Sequence, residues 1–177
     1  MLLRRILGLL SLALACRGEG TGPSPGRGSF SASWVGSDTG KLSGRPIAVF
    51  CSDGNRLELM ATQGDAGFGL AVYPAQELAE GNYDGFDPGM DTIRRPGVTA
   101  AARWFTEREV AAYQSDWGDL KLQRRGNLLS GGFAIHLRKV GADTDTIMVQ
   151  GKFTGVLPGP CPEEQDSAPP PPAVQPK

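Results

Sequence analysis

This chain predicts an all-β fold, an antiparallel β-sandwich or a partly closed barrel with one short helical segment. Three observations carry that expectation. Apolar residues recur at every second position through much of residues 29–157, the period of a strand with one buried face. Twenty-five glycines and fourteen prolines punctuate the chain and favour short strands and turns over a helical bundle. The last third reads as three strands in meander, joined by short loops that need no crossover helix.

Taken in order, the elements are as follows. Phe30, Ala32 and Trp34 alternate with Ser31, Ser33 and Val35 in a first strand, and Ile47, Val49 and Cys51 alternate with Ala48, Phe50 and Ser52 in a second. Asp53-Gly54-Asn55 supplies turn chemistry, after which Leu57 and Leu59 resume the period against Glu58 and Met60. Gln63-Gly64-Asp65-Ala66-Gly67 turns again into Phe68, Leu70 and Val72, so the first half predicts a run of hairpins. The segment 74–81 breaks the pattern: Pro74 suits a first helical position and Gly81 a helix end, which predicts one or two helical turns. Residues 81–97, rich in Gly, Pro and Asp, read as a long loop.

Strand period returns at Val98, Ala100, Ala102 and Trp104, with Thr99, Ala101 and Arg103 opposed. Thr106-Glu107-Arg108-Glu109 has the form of a capping box, but the helix it would start ends within two turns, so 106–114 is ambiguous. Gly118-Asp119-Leu120-Lys121-Leu122 is a strand, turned by Arg124-Arg125-Gly126-Asn127. Phe133, Ile135 and Leu137 then alternate with Ala134, His136 and Arg138. Residues 141–145 turn the chain into Ile147, Val149, Gly151 and Phe153, opposed by Met148, Gln150 and Lys152.

Both ends fall outside this domain. Arg4 and Arg5 precede an apolar run, Ile6 to Leu14, that is too short to span a bilayer, which takes roughly 20 residues, and has the length of a secretory leader. Ala13-Leu14-Ala15-Cys16 follows. It resembles the lipobox of bacterial lipoproteins, with Ala13 where leucine is usual. The resemblance implies a leader over residues 1–15, cleavage before Cys16 and acylation of its thiol. The alternative is an ordinary secretory signal cut after Ala15, leaving that thiol free. Several acyl chains hold a protein on a membrane far better than one. Arg17, in place of the aspartate that marks inner-membrane retention, implies the outer membrane of a two-membrane host. Residues 16–28 read as a flexible tether with little apolar surface to bury. Residues 158–177 hold eight of the fourteen prolines and predict an extended, disordered tail: a solvated end, a spacer, or a ligand for a Pro-binding module.

A formal charge of −1 offers no basic field, so nucleic acid is not an expected partner. If Cys16 carries lipid, Cys51 and Cys161 remain as an even pair, a disulfide candidate in an oxidising compartment. Two separate thiols are the alternative. His136 is the only histidine; its parity places it opposite Phe133, Ile135 and Leu137, facing solvent if they face the core. No G-x-S-x-G elbow accompanies it, and a zinc site lacks ligands. Asn82, Asp84, Asp87 and Asp91 could offer oxygens to calcium, but their spacing does not match an EF-hand, and such residues also dominate turns. No cofactor is expected. Trp104, Phe105 and Trp117, with Tyr113, could line a ligand groove or build a core. The basic pairs Arg94-Arg95, Arg124-Arg125 and Arg138-Lys139 read as solvated charges that discourage edge pairing.

Phe30-Ser31-Ala32-Ser33-Trp34, Gly81-Asn82-Tyr83, Gly118-Asp119-Leu120-Lys121-Leu122, Ser130-Gly131-Gly132-Phe133 and Val149-Gln150-Gly151-Lys152-Phe153 occur in an order that resembles small bacterial lipoproteins of unknown function. Their β-domain ends in a G-x-L-x-L, S-G-x-F, G-x-F series. That resemblance implies an all-β envelope domain and brings no catalytic residues. The expected function is therefore a lipid-anchored envelope protein with a structural or binding role, held to the membrane by its lipid and meeting an envelope protein or small ligand. A carrier with a lipocalin-like cavity is the second reading and an envelope hydrolase the third.

Overall fold

The computed structural model of this chain describes residues 28–89, 92–106 and 110–162. Among them the first half forms β1 (Ser29–Gly36), β2 (Gly40–Gly44), β3 (Ile47–Cys51), β4 (Arg56–Gln63), β5 (Ala66–Tyr73) and β6 (Gly81–Gly85). The second half forms β7 (Gly97–Phe105), β8 (Val110–Arg125), β9 (Leu128–Lys139), β10 (Ala142–Val156) and the short β11 (Gly159–Pro160). All belong to one sheet in the order β11-β3-β4-β5-β7-β6-β8-β9-β10-β1-β2. It curls strongly into a half-barrel, so the barrel-like alternative describes the fold and the two-sheet sandwich does not. The sheet is mixed: β11 runs parallel to β3 and β6 parallel to β7, while the other pairings are antiparallel. The β2 edge curls back toward the far half of β4, where the Ser43 amide donates to Gln63 Oε1 at 2.8 Å.

The concave side holds a single core. Phe30 of β1, Phe68 of β5 and Phe133 of β9 meet across it, with ring centroids 5.2 to 5.9 Å apart. A second stack runs Trp34–Trp104–Tyr113 at 4.9 and 5.0 Å. Strands distant in sheet order touch only because the sheet curls, and these rings fill the space it encloses. Each large apolar side chain so buried contributes about 1.5–3 kcal/mol.

Glycines opposite the rings make this packing possible. In the β9–β10 ladder Phe133 pairs with Gly151 and Phe153 with Gly131. A Cβ at Gly151 would lie 2.3 Å from Phe133 Cζ, and one at Gly131 would lie 2.7 Å from Phe153 Cζ. The two Gly-x-Phe triplets are therefore reciprocal partners, each ring lying over the bare backbone of the other strand. Trp34 and Gly40 repeat the arrangement between β1 and β2.

The predicted helix at 74–81 does not form. Its carbonyls, which a helix would spend on its own amides, are taken by side chains from elsewhere. Asn55 Nδ2 donates to the Pro74 and Gln76 carbonyls. Arg95 Nη1 donates to Pro74 O at 3.1 Å, Arg124 Nη1 to Leu78 O at 3.2 Å, and the Tyr83 hydroxyl to Ala79 O at 2.7 Å. The chain then enters β6 at Gly81, inside what the composition suggests is a loop. The ambiguous stretch 106–114 is resolved from Val110 onward as the start of β8, whose residues 110–114 pair with 101–105 of β7; the capping-box residues 107–109 lie outside the described residues.

Cys51 and Cys161 form a disulfide, 110 residues apart in sequence. Together with β11 it holds the start of the Pro-rich tail on β3. Residues 1–27, including Cys16 and most of the tether, and residues 163–177 of the tail lie outside the described residues.

Tyr83 is 3% exposed, and burial raises its phenol above the ordinary value of 10.0. The neutral form is thus favoured by folding. Its contribution is complete below the unfolded value near 10 and is lost as pH rises through the higher folded value. Thermal melts should show a falling melting temperature above about pH 10. Tyr83→Phe should cost about 1 kcal/mol at neutral pH by deleting the bond to Ala79 and should flatten the alkaline decline. An undiminished decline in that variant contradicts the assignment.

Candidate functional site

On the convex face, the centre of β8 departs from simple alternation. Ser115 pairs with Leu137, but the next residue of β9, His136, pairs with Trp117, leaving Asp116 as the extra residue of a bulge. Before the bulge Tyr113 and Ser115 point inward, and after it Leu120 and Leu122 do. Asp116 and Trp117 both lie on the outer side. Ser115 is fully buried, and its hydroxyl donates to the Phe86 carbonyl at 2.7 Å. Gly118 completes the kink with a φ of +140°; a Cβ there would lie 2.3 Å from the Ala134 carbonyl oxygen, so only glycine fits.

The bulge aims Trp117 across β9. Its ring stacks on His136 at 5.0 Å with planes 14° apart, and the residue remains 53% exposed. Asp116 Oδ2 lies 3.4 Å from His136 Nδ1, an approach that leaves this buried nitrogen without a hydrogen bond. Beside the stack, Arg138 Nη2 donates to Asp87 Oδ2 at 2.7 Å. Asp87 Oδ1 accepts from the Gly89 amide at 2.8 Å and from Gln114 Nε2 at 3.4 Å.

The register continues this surface beyond β8 and β9. His136 pairs with Met148 of β10, and Met148 with Val35 of β1. Trp117, His136, Met148 and Val35 thus form one outward row across four strands, with Val35 61% exposed and Met148 half-buried. The neighbouring row on one side is Asp119, Ala134, Gln150, Ser33 and Lys41. On the other side lie Gln114, Arg138 and Thr146.

The aromatic residues proposed for a groove are not brought together. Trp104 packs against the core between Trp34 and Tyr113, Phe105 points outward at 58% exposure, and Trp117 joins the outer row. Successive residues of a strand face opposite sides, which separates Trp104 from Phe105. His136 faces outward as its parity suggests, but Trp117 covers it. Of the oxygen donors considered for calcium, Asn82 and Asp84 stand exposed on β6, Asp87 is turned onto Arg138, and Asp91 lies outside the described residues. Among the described residues no group of three or more His, Cys, Asp or Glu side chains could hold a metal ion.

The basic pairs are not merely solvated. Arg95 donates to the carbonyls of Gly54, Asn55 and Pro74 and lies 5.7 Å from the Tyr73 ring centre. It clamps the β3–β4 turn to the segment after β5. Near that clamp an open cleft of about 660 Å³ lies at one end of the half-barrel, lined by Phe50, Leu78, Leu129, Leu157 and Pro158 with polar Asn55, Glu77 and Arg124.

Sequence reasoning missed the bulge, and with it the row. The signal was present in the change of inward parity between Ser115 and Leu120 and in Gly118 between them, since an isolated glycine in a strand marks a bulge. Comparison with protein-family models, with curated proteins and with solved structures finds no match to this chain.

Proposed function

We propose that this protein is a lipid-anchored component of the bacterial cell envelope, placed at the outer membrane, with a structural or binding role and no catalysis. The leader-like first 15 residues and Cys16 support the address, and the Cys51–Cys161 disulfide suits an oxidising compartment. The observation that carries the binding role is the division of large apolar side chains between the two faces. Phe30, Phe68 and Phe133 fill the concave side, while Val35, Phe105, Val110 and Trp117 stand 50% or more exposed. A filled interior leaves the outer surface as the place of contact, and the outer row that carries Trp117 and Val35 favours interaction there. The anchor concentrates that surface at the membrane.

The small-ligand carrier is the second reading, and the end cleft of about 660 Å³ favours it, since ligand sites commonly span about 300–1,000 Å³. A hydrolase built on His136 draws less support: its neighbour Asp116 could orient the imidazole, but Ser115 faces the other side of the sheet and is bonded to Phe86.

Cys16→Ala tests the address. The variant should move from the membrane to the soluble fraction of fractionated cells while the unaltered protein stays with the membrane. Undiminished membrane retention of the variant refutes the anchor.

A further inference from the structure

We infer that the outer row Trp117–His136–Met148–Val35 is a binding platform for a linear, uncharged polysaccharide whose pyranose rings stack on Trp117. This rests on the reading of the outer surface as the place of contact and names its ligand class.

The chemistry begins with the indole. One face of Trp117 is stacked against His136 at 5.0 Å, which fixes the ring and lowers the entropy lost when a ligand seats on it. The residue as a whole is 53% exposed. The negative face of an aromatic π-system attracts positively polarised edges, and the axial C–H groups of a pyranose present such a surface. The bulge at Asp116 and the strict need for glycine at Gly118 hold Trp117 in this position.

The shape of the surface favours a polysaccharide over a folded protein. The apolar row is one residue wide and crosses four strands, a length of roughly 14 Å at the usual strand spacing. A protein interface of ordinary size buries about 800 Å² on each partner around a broad desolvated centre, which so narrow a row does not supply. A chain of sugar rings has the matching cross-section, with apolar ring faces and hydroxyls along both edges. Polar side chains flank the row on both sides to meet those hydroxyls: Asp119, Gln150 and Ser33 along one, Gln114 and the Asp87–Arg138 pair along the other.

Charge excludes a strongly ionic ligand. The flanks carry both signs: Asp119 and Lys41 share one row, and Arg138 is paired with Asp87. No single-sign field runs along the platform, so binding should change little between low and molar salt.

The test uses the full chain carrying Cys16→Ala, so that the anchor's own affinity is removed. Cellohexaose and chitohexaose are titrated against it by calorimetry and tryptophan fluorescence. At least one should bind saturably, with a dissociation constant between about 1 μM and 1 mM, and change the fluorescence. Trp117→Ala should weaken binding by about thirty-fold or more, as loss of a central tryptophan anchor does. Its melting temperature should fall by only a few degrees through loss of the stack on His136, because the residue lies outside the core. Trp117→Tyr should retain most of the affinity and Phe105→Ser all of it. Equal binding by Trp117→Ala, or no binding of either hexaose by the parent chain, overturns the proposal. A second arm separates this failure from failure of the broader reading: co-sedimentation with bacterial wall sacculi before and after protease treatment. Retention that survives protease and molar salt and needs Trp117, together with hexaose binding, supports a polysaccharide ligand. Retention that needs Trp117 but vanishes with protease identifies a protein partner, overturning the glycan while keeping the outer-surface reading. Loss of neither binding nor retention in Trp117→Ala removes both.

Discussion

Cys51→Ser, Cys161→Ser or reduction of the intact protein should each lower its stability by about 4–5 kcal/mol, the chain-entropy expectation for a closed loop of this size. The bond joins residues 110 apart, so opening it frees nearly the whole folded segment in the unfolded state. Little native structure depends on the bond locally, since β11 has two residues and pairs only with β3. Denaturant titrations should show a lower midpoint and a steeper slope, because the unlinked chain exposes more surface when it unfolds. The double serine variant should match either single one, because both remove the same bond. Thiol labelling of the unreduced protein should find Cys51 and Cys161 unreactive. A midpoint indifferent to reduction, or two reactive thiols, contradicts the pairing.

Phe133→Ala should be the most damaging of the core truncations, costing about 3–5 kcal/mol. Phe133 touches Phe30 and Phe68, so its removal opens the middle of the ring stack that joins β1, β5 and β9. The opposed glycine makes the prediction sharper. Gly151→Ala places a Cβ where the Phe133 ring now lies and should destabilise by about 1–3 kcal/mol through overpacking. Combined, the two substitutions should cost somewhat less than their sum, because removing the ring relieves its share of the clash and leaves only the 2.6 Å approach of the new Cβ to the Ser31 carbonyl oxygen. Urea midpoints of the two singles and the double measure this coupling directly. Strict additivity contradicts the Phe-over-Gly arrangement.

Most strands with one face in the core are legible from period two; β3 is the exception, since Ala48 and Phe50, not Ile47 and Val49, lie opposite the buried Leu59 and Leu57. Phe30, Ala32 and Trp34 are buried while Ser33 and Val35 are exposed, and Ile135, Leu137, Ile147 and Val149 are buried as their spacing suggests. The cysteine count makes Cys51 and Cys161 a disulfide candidate only when Cys16 is set aside for lipid, with two separate thiols as the alternative; the structure bonds them. What escapes is short or depends on distant partners. β2 offers only Leu42 to the core, and β6 only Tyr83 among its larger side chains, too little for a periodic signal. The segment 74–81 carries adequate helix punctuation, but Asn55, Arg95, Arg124 and Tyr83 compete for its carbonyls, and no local rule anticipates them. The same limit explains the arginines: a guanidinium that reads as solvated becomes a clamp once carbonyls from remote turns converge on it.

The candidate surface is half legible. Parity places His136 on the outer side, but the aromatic cluster in the third quarter reads as one group. Its members divide between the faces, Trp104 inward by strand alternation and Trp117 outward by the bulge. Val35 and Met148 enter the row only through the β1–β10–β9 register, and register is a property of the folded sheet.

Intact-mass spectrometry of the protein isolated from its native cells tests the central claim most directly. The account predicts a species that begins at Cys16, carries diacylglycerol in thioether linkage with a further acyl group on the new amino terminus, and is two hydrogens lighter than its reduced form. A cytosolic species of unmodified mass, still bearing residues 1–15, contradicts it.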